Sequence, residues 1–274
     1  MIKMPYRMKQ ELKNKIENLF KNPASFFWRQ LYRIFVIIPW LAAVYLVQLF
    51  FGKLFKITGE AVKTCFIITS VIYPKQKELS YSSTRSVYNP EERATQTLKT
   101  IESIKEKVPG AKIVLVESGL QENLPLDLAK QVDQYLYVGN NFFVRLACDS
   151  RFKSLGEAIM LIAAAHKIKY AATTFFKISG RYFLDENFNI QSWQSEVFRF
   201  FYIRATYVST RLYAFAGRVR TVWYFALIKG LPLLLLDYPI EHILPRFIPK
   251  KYMATTDKAG IMGADATTGQ VVKE

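Results

Sequence analysis

The stretch CFIITSVI, residues 65–72, decides the fold of this chain. It runs for eight residues without a charge, and most of them are apolar or β-branched, as is typical of a strand buried on both faces of a sheet. KIVLVE at residues 112–117 and TTFFKI at residues 173–178 follow nearly the same pattern. Amphipathic segments separate the three runs, so the sequence predicts an α/β domain with a mostly parallel sheet flanked by helices.

The segments between these strands carry signals for helices. NPEE at residues 89–92 offers a capping asparagine, a proline for the first helical position and two acids for the first turn. Apolar residues then recur every three or four positions until Pro109-Gly110 ends the helix. Weaker patterns predict a helix over residues 126–132, a strand over 134–138, a helix over 155–166, one or two strands over 197–215, a helix pair over 219–236 interrupted at Gly230-Leu231-Pro232, a helix from residue 237 and a hairpin within 258–273.

The composition excludes several classes of protein. With 51% hydrophobic and 22% charged residues, the 274-residue chain is too apolar to be disordered. Its two cysteines are too few for a small disulfide-framework protein. The formal net charge of +16 predicts attraction to phosphate-bearing partners: nucleic acid, an anionic membrane surface, or nucleotide and diphosphate ligands.

The first 60 residues differ from the rest of the chain. Residues 1–33 hold eight Lys and Arg residues against two Glu. Residues 34–52, IFVIIPWLAAVYLVQLFFG, then run for nineteen residues without a charge. We therefore expect residues 1–60 to form a basic arm with a membrane-associated helical segment, and residues 61–274 to form the α/β domain.

Three interpretations of the apolar run remain open from the sequence. It has nearly the length of a membrane-spanning helix, it would also suit an interfacial or re-entrant helix, and it could cover the core of a soluble domain. Pro39 weakens a straight span because proline removes a backbone donor from a helix interior. The basic and aromatic residues before the run suit an anionic lipid surface, so we expect membrane association. A span would favour a cytoplasmic N-terminus and carry the rest of the chain across, whereas an interfacial or re-entrant helix leaves the α/β domain in the cytoplasm, where we expect it.

Several chemistries lack support in the sequence. Two histidines and two cysteines are too few and too scattered for a zinc site, and no C-x-x-C is present. No G-x-G-x-x-G follows the first strand, and neither a Walker loop nor G-x-S-x-G occurs. We expect no cofactor. We also expect no nucleic-acid partner, because the basic arm leads directly into an apolar segment that fits lipid better.

Polar residues follow three of the predicted strands at the point where each strand ends. They are Ser70, then Glu117 and Ser118 with Gly119, then the run KISGRY at residues 177–182. In parallel sheets ligands collect in the crevice outside the carboxyl ends of the strands. The sequence therefore predicts that these residues converge on one site.

This layout resembles the GT-A-type glycosyltransferases, enzymes that bind nucleotide sugars. The resemblance covers residues 64–182, through the opening strand, the helix RATQTLKTIESI at residues 93–104, the strand end VLVESG at 114–119 and KSLGEA at 153–158. None of these motifs is specific alone. By position the resemblance implies a GT-A-like, Rossmann-like fold for residues 61–274, with Ser70, Glu117 and Ser118 at the nucleoside.

The chain departs from that family where the family carries a D-x-D pair for a divalent metal. KISGRY stands there instead, a run also resembling one in sugar-transferase-like proteins of polysaccharide gene clusters. Hard divalent ions prefer oxygen ligands, so the run gives no support for a D-x-D-bound metal. Lys177 and Arg181 would balance the donor diphosphate directly, or else form a solvated charge pair. Ser179, Gly180 and Tyr182 would complete this part of the donor site.

Three further charged residues are candidates. Glu157 would contact the donor, or simply suit the start of a helix. Arg211 would bind acceptor or phosphate, or form an internal ion pair. Glu241 is the preferred base for the acceptor hydroxyl. Its rivals are Asp149, Asp185 and Asp265, although Asp185 better suits a turn.

These inferences predict a membrane-associated glycosyltransferase. It would transfer a sugar from a nucleotide-sugar donor to a polysaccharide or glycolipid acceptor, without a D-x-D-bound metal. The alternative is a non-catalytic anchored protein with a degenerate transferase fold that binds a partner or an anionic glycan. The sequence does not decide the donor sugar, the nucleotide base, the acceptor, the stereochemical outcome or the oligomeric state.

Overall fold

The computed structural model describes residues 23–51, 59–204 and 207–274. Most of the predicted basic arm, residues 1–22, lies outside the described residues. The N-terminal part contains helix α1 (Pro23–Tyr32), a π-helical turn (Arg33–Ile37) and helix α2 (Ile38–Phe51). The α/β part contains β1 (Glu60–Ser70), α3 (Pro90–Lys107), β2 (Lys112–Glu117), β3 (Gln134–Tyr137), α4 (Phe142–Cys148), α5 (Lys153–Ala165), β4 (Tyr170–Ser179), β5 (Tyr182–Leu184), α6 (Ile190–Trp193), β6 (Phe198–Arg204), β7 (Tyr207–Ala216), α7 (Arg220–Leu234), α8 (Ile240–Phe247), β8 (Met253–Thr256), β9 (Ile261–Ala264) and β10 (Val271–Lys273).

The predicted α/β class is confirmed. A seven-stranded sheet has the order β3-β2-β1-β4-β7-β6-β8. The strands β3, β2, β1 and β4 are parallel to one another, whereas β7 runs antiparallel to both β4 and β6. This mostly parallel sheet with flanking helices is the arrangement predicted for a GT-A-like domain.

Side chains of β1 alternate between two apolar cores. Cys65 and Ile67 belong to the core under α4, α5, α7 and α8, while Phe66 and Ile68 belong to the core under α3. All four are fully buried. Successive strand side chains point to opposite faces, so an uncharged run such as residues 65–72 requires helices on both sides.

A second, three-stranded sheet has the order β10-β9-β5. Its antiparallel β9 and β10 are the hairpin predicted within residues 258–273. The antiparallel pairing of β5 with β9 ties the segment after β4 to this hairpin. Residues 180–181, which connect β4 to β5, are therefore held between two paired strands.

Two predicted helical segments were wrong in detail. Residues 126–132 do not form an α-helix, because Leu126 and Asp127 have positive φ angles of 57° and 47° inside a 3₁₀ segment. The helix pair over residues 219–236 is one continuous helix, α7, with Pro232 inside it. Proline lacks an amide donor, so the carbonyl of Ile228 loses its helical partner. The indole Nε1 of Trp40 donates to that carbonyl at 2.9 Å.

One helix among the described residues is long and apolar enough to cross a membrane, by length and composition. It spans Gln30–Phe50, with a mean hydropathy of 1.9, and 6% of it is buried. Most of its side chains therefore lie outside the core. The division at residue 60 stays a prediction.

The helix α3 begins with a capping box, as the NPEE motif predicts. The Asn89 side chain accepts from the amide of Glu92 at 2.9 Å, and the Glu92 carboxylate accepts from the amide of Asn89 at 2.8 Å. These two bonds satisfy backbone donors that the helix itself leaves free. Arg93, in the first turns of α3, donates to the carbonyl of Val71 at 2.6 Å and so holds the start of the helix beside the end of β1.

We expect Asn89→Ala to lower the free energy of unfolding by about 1 kcal/mol, because it removes the side-chain cap. Urea denaturation measures the change. Asn89→Asp is the matched control and should lose much less, because a carboxylate caps a helix equally well. Equal losses for both variants would contradict the capping role.

Candidate functional site

A cavity of about 120 Å³ opens at the carboxyl ends of β1, β2 and β4. Five of the residues predicted for the donor site line it: Ser70, Ser118, Glu157, Ser179 and Arg181. Glu117, Lys177, Tyr182, Arg211 and Glu241 are not among its lining residues. Gly180 lines an adjoining cavity of about 20 Å³, which also contacts Ser70 and Arg181. The crevice predicted at this edge of the sheet is therefore present, with a partly different lining.

Glu117 is fully buried behind the cavity wall. Its Oε1 accepts from the amides of Ile72, at 3.0 Å, and Gly119, at 2.5 Å. Burial raises the pKa of Glu117, and the neighbouring Ser70 hydroxyl, these two amides and the charge of Arg93 oppose the rise. Oε2 of Glu117 has no hydrogen-bond partner among the described residues. Full burial excludes the alternative that Glu117 is simply a solvated acid.

The turn after β2 requires glycine. A Cβ atom at Gly119 would lie 2.6 Å from Oε1 of Glu117 and 2.9 Å from the amide nitrogen of Tyr73. Real Cβ atoms do not approach other atoms so closely. The glycine lets the chain bend back beside Ser118, which itself lines the cavity.

Lys177 does not face the cavity as predicted. Its side chain is fully buried, and its ammonium group has three acceptors: the Glu157 carboxylate, Ser179 Oγ at 3.0 Å and the carbonyl of Thr210 at 2.8 Å. An ammonium group has three donors, so none is left for a ligand. The geometry gives Lys177 a positioning role, which corrects the prediction that it binds diphosphate directly.

The ion pair with Lys177 holds Glu157 in the cavity wall. Glu157 is the fifth residue of α5 and lies beyond the first turn, so the alternative that the helix dipole alone accounts for an acid here does not hold. The buried Lys177 is the stronger constraint, because it fixes the carboxylate against the sheet.

Arg181 follows the end of β4 and, unlike Lys177, its side chain faces the cavities. It lines both of them, and its buried Nη1 atom has no hydrogen-bond partner among the described residues. An unpartnered guanidinium nitrogen is costly unless it meets an anion or water. Arg181 is therefore available for an anionic ligand.

Three further cations line the cavity and were not predicted: Arg85, Arg93 and Lys153. Arg93 donates to the carbonyl of Val71 at 2.6 Å and to Ser86 Oγ at 2.8 Å. Burial, together with the charge of Arg181, lowers the pKa of Arg93 to about 10 and that of Lys153 to about 8. In the sequence, Arg93 was marked only by its place near the capped start of α3, and Lys153 only by its place in the run KSLGEA.

Glu241 lies close to the cavity although it does not line it. Its Oε1 accepts from the hydroxyl of Thr210 at 3.1 Å, and the carbonyl of Thr210 accepts from Lys177. Thr210 thus links Glu241 to the Glu157 ion pair. Burial raises the pKa of Glu241, and the negative charge of Glu157 raises it further.

The rival acids are held by local contacts. Asp149 pairs with Arg145 on α4. Asp185 accepts from the amide of Asn187 at 2.8 Å, which is the turn role expected for it. Asp265 accepts from the amides of two following residues, Thr267 and Thr268, at 2.8 and 3.1 Å.

Arg211 and Tyr182 form a separate cluster. The guanidinium group of Arg211 donates to the Tyr182 hydroxyl at 3.0 Å and pairs with the carboxylate of Glu274. Tyr182 is buried in the core under α3. The structure thus shows the internal ion pair that was the alternative for Arg211, and it places Tyr182 outside the cavity lining.

Among residues 23–51, 59–204 and 207–274, no group of three or more His, Cys, Asp or Glu side chains is arranged to hold a metal ion. The polar groups of the cavity are mainly cationic or hydroxylic instead. Such a lining suits a phosphorylated ligand.

Comparison with solved structures finds distant similarity to several glycosyltransferases, each with a TM-score below 0.5. The galactosyltransferase LgtC, solved with donor and acceptor sugar analogues, is 8% identical over 70% of this chain and 73% of its own, with a TM-score of 0.47. A glycosyltransferase involved in glycosylation of the major capsid of PBCV-1 is 13% identical over 72% and 82%, with a TM-score of 0.39. The bifunctional glycosyltransferase WbbM is 9% identical over 73% and 39%, with a TM-score of 0.42. No protein-family model and no curated protein matches the sequence.

The Lys177–Glu157 pair should dominate the stability of the site. We expect Lys177→Met to lower the free energy of unfolding by about 3–5 kcal/mol, because it leaves the Glu157 charge without its partner. Adding Glu157→Gln should recover about 1–3 kcal/mol of that loss. Urea denaturation of the two single variants and the double variant measures the coupling, and strictly additive losses would contradict it.

Lys153 should make anion binding depend on pH. With a pKa of about 8, it loses its charge as the pH rises through 8, so affinity for an anion should fall by up to about tenfold per pH unit above 8. Calorimetric titration with sulfate, which does not titrate in this range, measures the effect. Lys153→Arg should keep the affinity constant from pH 7 to 9, and the same pH dependence in that variant would refute the assignment.

Proposed function

We propose that this protein is a membrane-associated glycosyltransferase that transfers a sugar from a nucleotide-sugar donor to a polysaccharide or glycolipid acceptor. Its catalytic domain would lie on the cytoplasmic side, where nucleotide sugars are made. The observation that carries the proposal is the convergence of four cations on a cavity at the carboxyl edge of the sheet.

Of the four cations, Arg181 and Lys153 are the ones available to a donor diphosphate, because the guanidinium group of Arg85 already donates to three backbone carbonyls. Arg181 brings a buried guanidinium nitrogen without a partner, and Lys153 makes no hydrogen bond or ion pair with the described residues. Like charges in one cavity repel, which contributes to the low pKa of Lys153. A diphosphate would relieve this repulsion and accept hydrogen bonds from both side chains. We propose Arg181 and Lys153 as its main contacts, with Arg93 behind them.

The nucleoside would lie where β1 and β2 end. Ser70 and Ser118 line the cavity there, and Oε2 of Glu117 has no hydrogen-bond partner among the described residues. The two hydroxyls suit the donors and acceptors of a ribose or a base. Glu117 does not line the cavity and would act by holding the amide of Gly119, next to Ser118. Ser179 and Gly180 would border the diphosphate between these residues and Arg181.

Charge balance by arginine and lysine would replace a D-x-D-bound metal in this proposal. Arg binds phosphate oxygens through two parallel hydrogen bonds, and Lys acts as a point charge. Lys177 would contribute indirectly, because it holds Glu157 in the cavity wall.

Glu241 is the proposed base. Transfer to an acceptor hydroxyl requires a group that takes its proton, and a carboxylate with a raised pKa is a better base than an ordinary one. Thr210 holds Glu241 within the same hydrogen-bonded network as Glu157.

An apolar helix beside the cavity supports a lipid-linked acceptor. Phe142, Phe143 and Leu146 on α4 are all exposed. On the same helix, Arg145 donates to the carbonyls of Ser118, at 2.6 Å, and Gly119, at 3.0 Å. The exposed apolar side chains therefore lie next to the loop that borders the proposed donor site.

The donor site is tested by thermal-shift measurements with a panel of nucleotide sugars, with and without chelator. We expect at least one nucleotide sugar to stabilise the wild type, and Arg181→Met to weaken its binding about 10- to 100-fold, because a charge-assisted contact is lost. Arg218→Met is the matched control, since Arg218 pairs with Glu196 beside a different cavity. Stabilisation by no nucleotide sugar would count against the proposal.

Turnover tests the base. We expect Glu241→Gln to lower kcat at least about 100-fold while the donor still binds. Because the pKa of Glu241 is raised, the wild-type rate should fall with falling pH sooner than for an ordinary glutamate. Glu186→Gln, an exposed acid paired with Lys273, is the control and should keep full activity. Donor binding without any turnover in the wild type would favour the non-catalytic alternative.

A further inference from the structure

The outer surface of the N-terminal helices is apolar and open. Phe35 is 71% exposed and Leu49 is 73% exposed, and they stand at opposite ends of the run Gln30–Phe50. Further exposed apolar side chains lie between and beside them: Phe27, Trp28, Ile34, Ile38, Leu46, Val47 and Phe50. Patches of this extent on a soluble protein mark an interaction surface.

The inner surface of the same helices is bound to α7 by polar contacts. The hydroxyl of Tyr32 donates to the carbonyl of Pro232 at 3.1 Å, and Trp40 donates to the carbonyl of Ile228 at 2.9 Å. At the far end of α2, the ammonium of Lys229 donates to the side chain of Gln48 at 2.6 Å. The same ammonium lies 3.8 Å from the centre of the Tyr45 ring.

These contacts argue against a membrane span. They start from Tyr32, Trp40 and Gln48, so the N-terminal helices are held to α7 near their beginning, middle and end. The helix α7 in turn packs Trp223 and Leu227 into the core over the sheet. If the run crossed a bilayer in this arrangement, the body of the α/β domain would enter the hydrocarbon, where its polar groups would lose water.

We propose that the N-terminal helices lie in the plane of an anionic lipid surface. The exposed apolar side chains would enter the boundary between headgroups and acyl chains, while the opposite side stays docked on α7. Exposed Leu235 and Leu236, immediately after α7, would extend the contact. This inference specifies the membrane partner in the proposed function and does not depend on sugar transfer.

The charge next to these helices complements an anionic surface. The exposed Arg33 immediately precedes the uncharged residues 34–52, and six further Lys and Arg residues stand earlier in the sequence, among residues 1–22. Each basic residue near an anionic surface strengthens binding, and salt weakens this contribution. An apolar face with neighbouring positive charge fits a lipid bilayer better than a neutral protein groove.

Vesicle co-sedimentation of the full chain tests the inference. We expect binding to vesicles that contain anionic lipid, weaker binding to neutral vesicles, and at least about 100-fold weaker binding for Phe35→Asp/Leu49→Asp, because each apolar side chain contributes roughly tenfold. Val271→Asp, which alters an exposed apolar side chain on β10, is the matched control and should bind as the wild type does. Wild-type binding by the double variant would overturn the proposal.

Topology separates a surface helix from a span. Protease-cleavable tags at the two ends of the chain should be cut from the same side of sealed membrane vesicles, and tags cut from opposite sides would refute the inference. The thermal shift with nucleotide sugar, measured on Phe35→Asp/Leu49→Asp, should equal that of the wild type. Loss of vesicle binding therefore remains distinguishable from failure of the proposed function.

Discussion

The buried ammonium group of Lys177 is the interaction on which the candidate site depends. A lysine without exposed surface requires acceptors for all three of its donors, because an unpartnered buried charge is strongly destabilising. The acceptors come from three elements: Glu157 from α5, Ser179 from β4 itself and Thr210 from β7. The first turns of α5 are thereby fixed against the sheet, and Thr210 extends the network to Glu241 on α8.

This arrangement also determines which cations face the cavity. Since Lys177 is fully used inside the fold, the positive charge near the end of β4 comes from Arg181, and Lys153 and Arg93 add theirs from α5 and α3. Burial lowers the pKa values of Lys153 and Arg93, and the positive charge of Arg181 lowers both further. Repulsion among these cations raises the free energy of the unbound protein, and binding of an anionic ligand would lower it.

The sequence predicted the parts of the fold that local pattern controls. Uncharged strands and the NPEE cap act over a few neighbouring residues, so β1, β2 and α3 followed from pattern alone. The direction of Lys177 depends on a residue 20 positions earlier, because only the contact with Glu157 makes its burial favourable. Both residues were recognised as candidates, but no local pattern shows that they bind each other. Likewise, Pro232 suggested a helix break, and only the distant Trp40 explains why α7 tolerates it.

One layer of helices joins the proposed lipid-binding surface of the N-terminal helices to the cavity. The helix α2 packs on α7, and α7 packs on both α5 and α8. Those last two helices carry Lys153, Glu157 and Glu241. A bilayer bound to α2 would therefore be separated from these residues by a single helix, α7. The charged site would stay in water, whereas α2 would contact the lipid. This arrangement suits an acceptor that remains anchored in the same membrane.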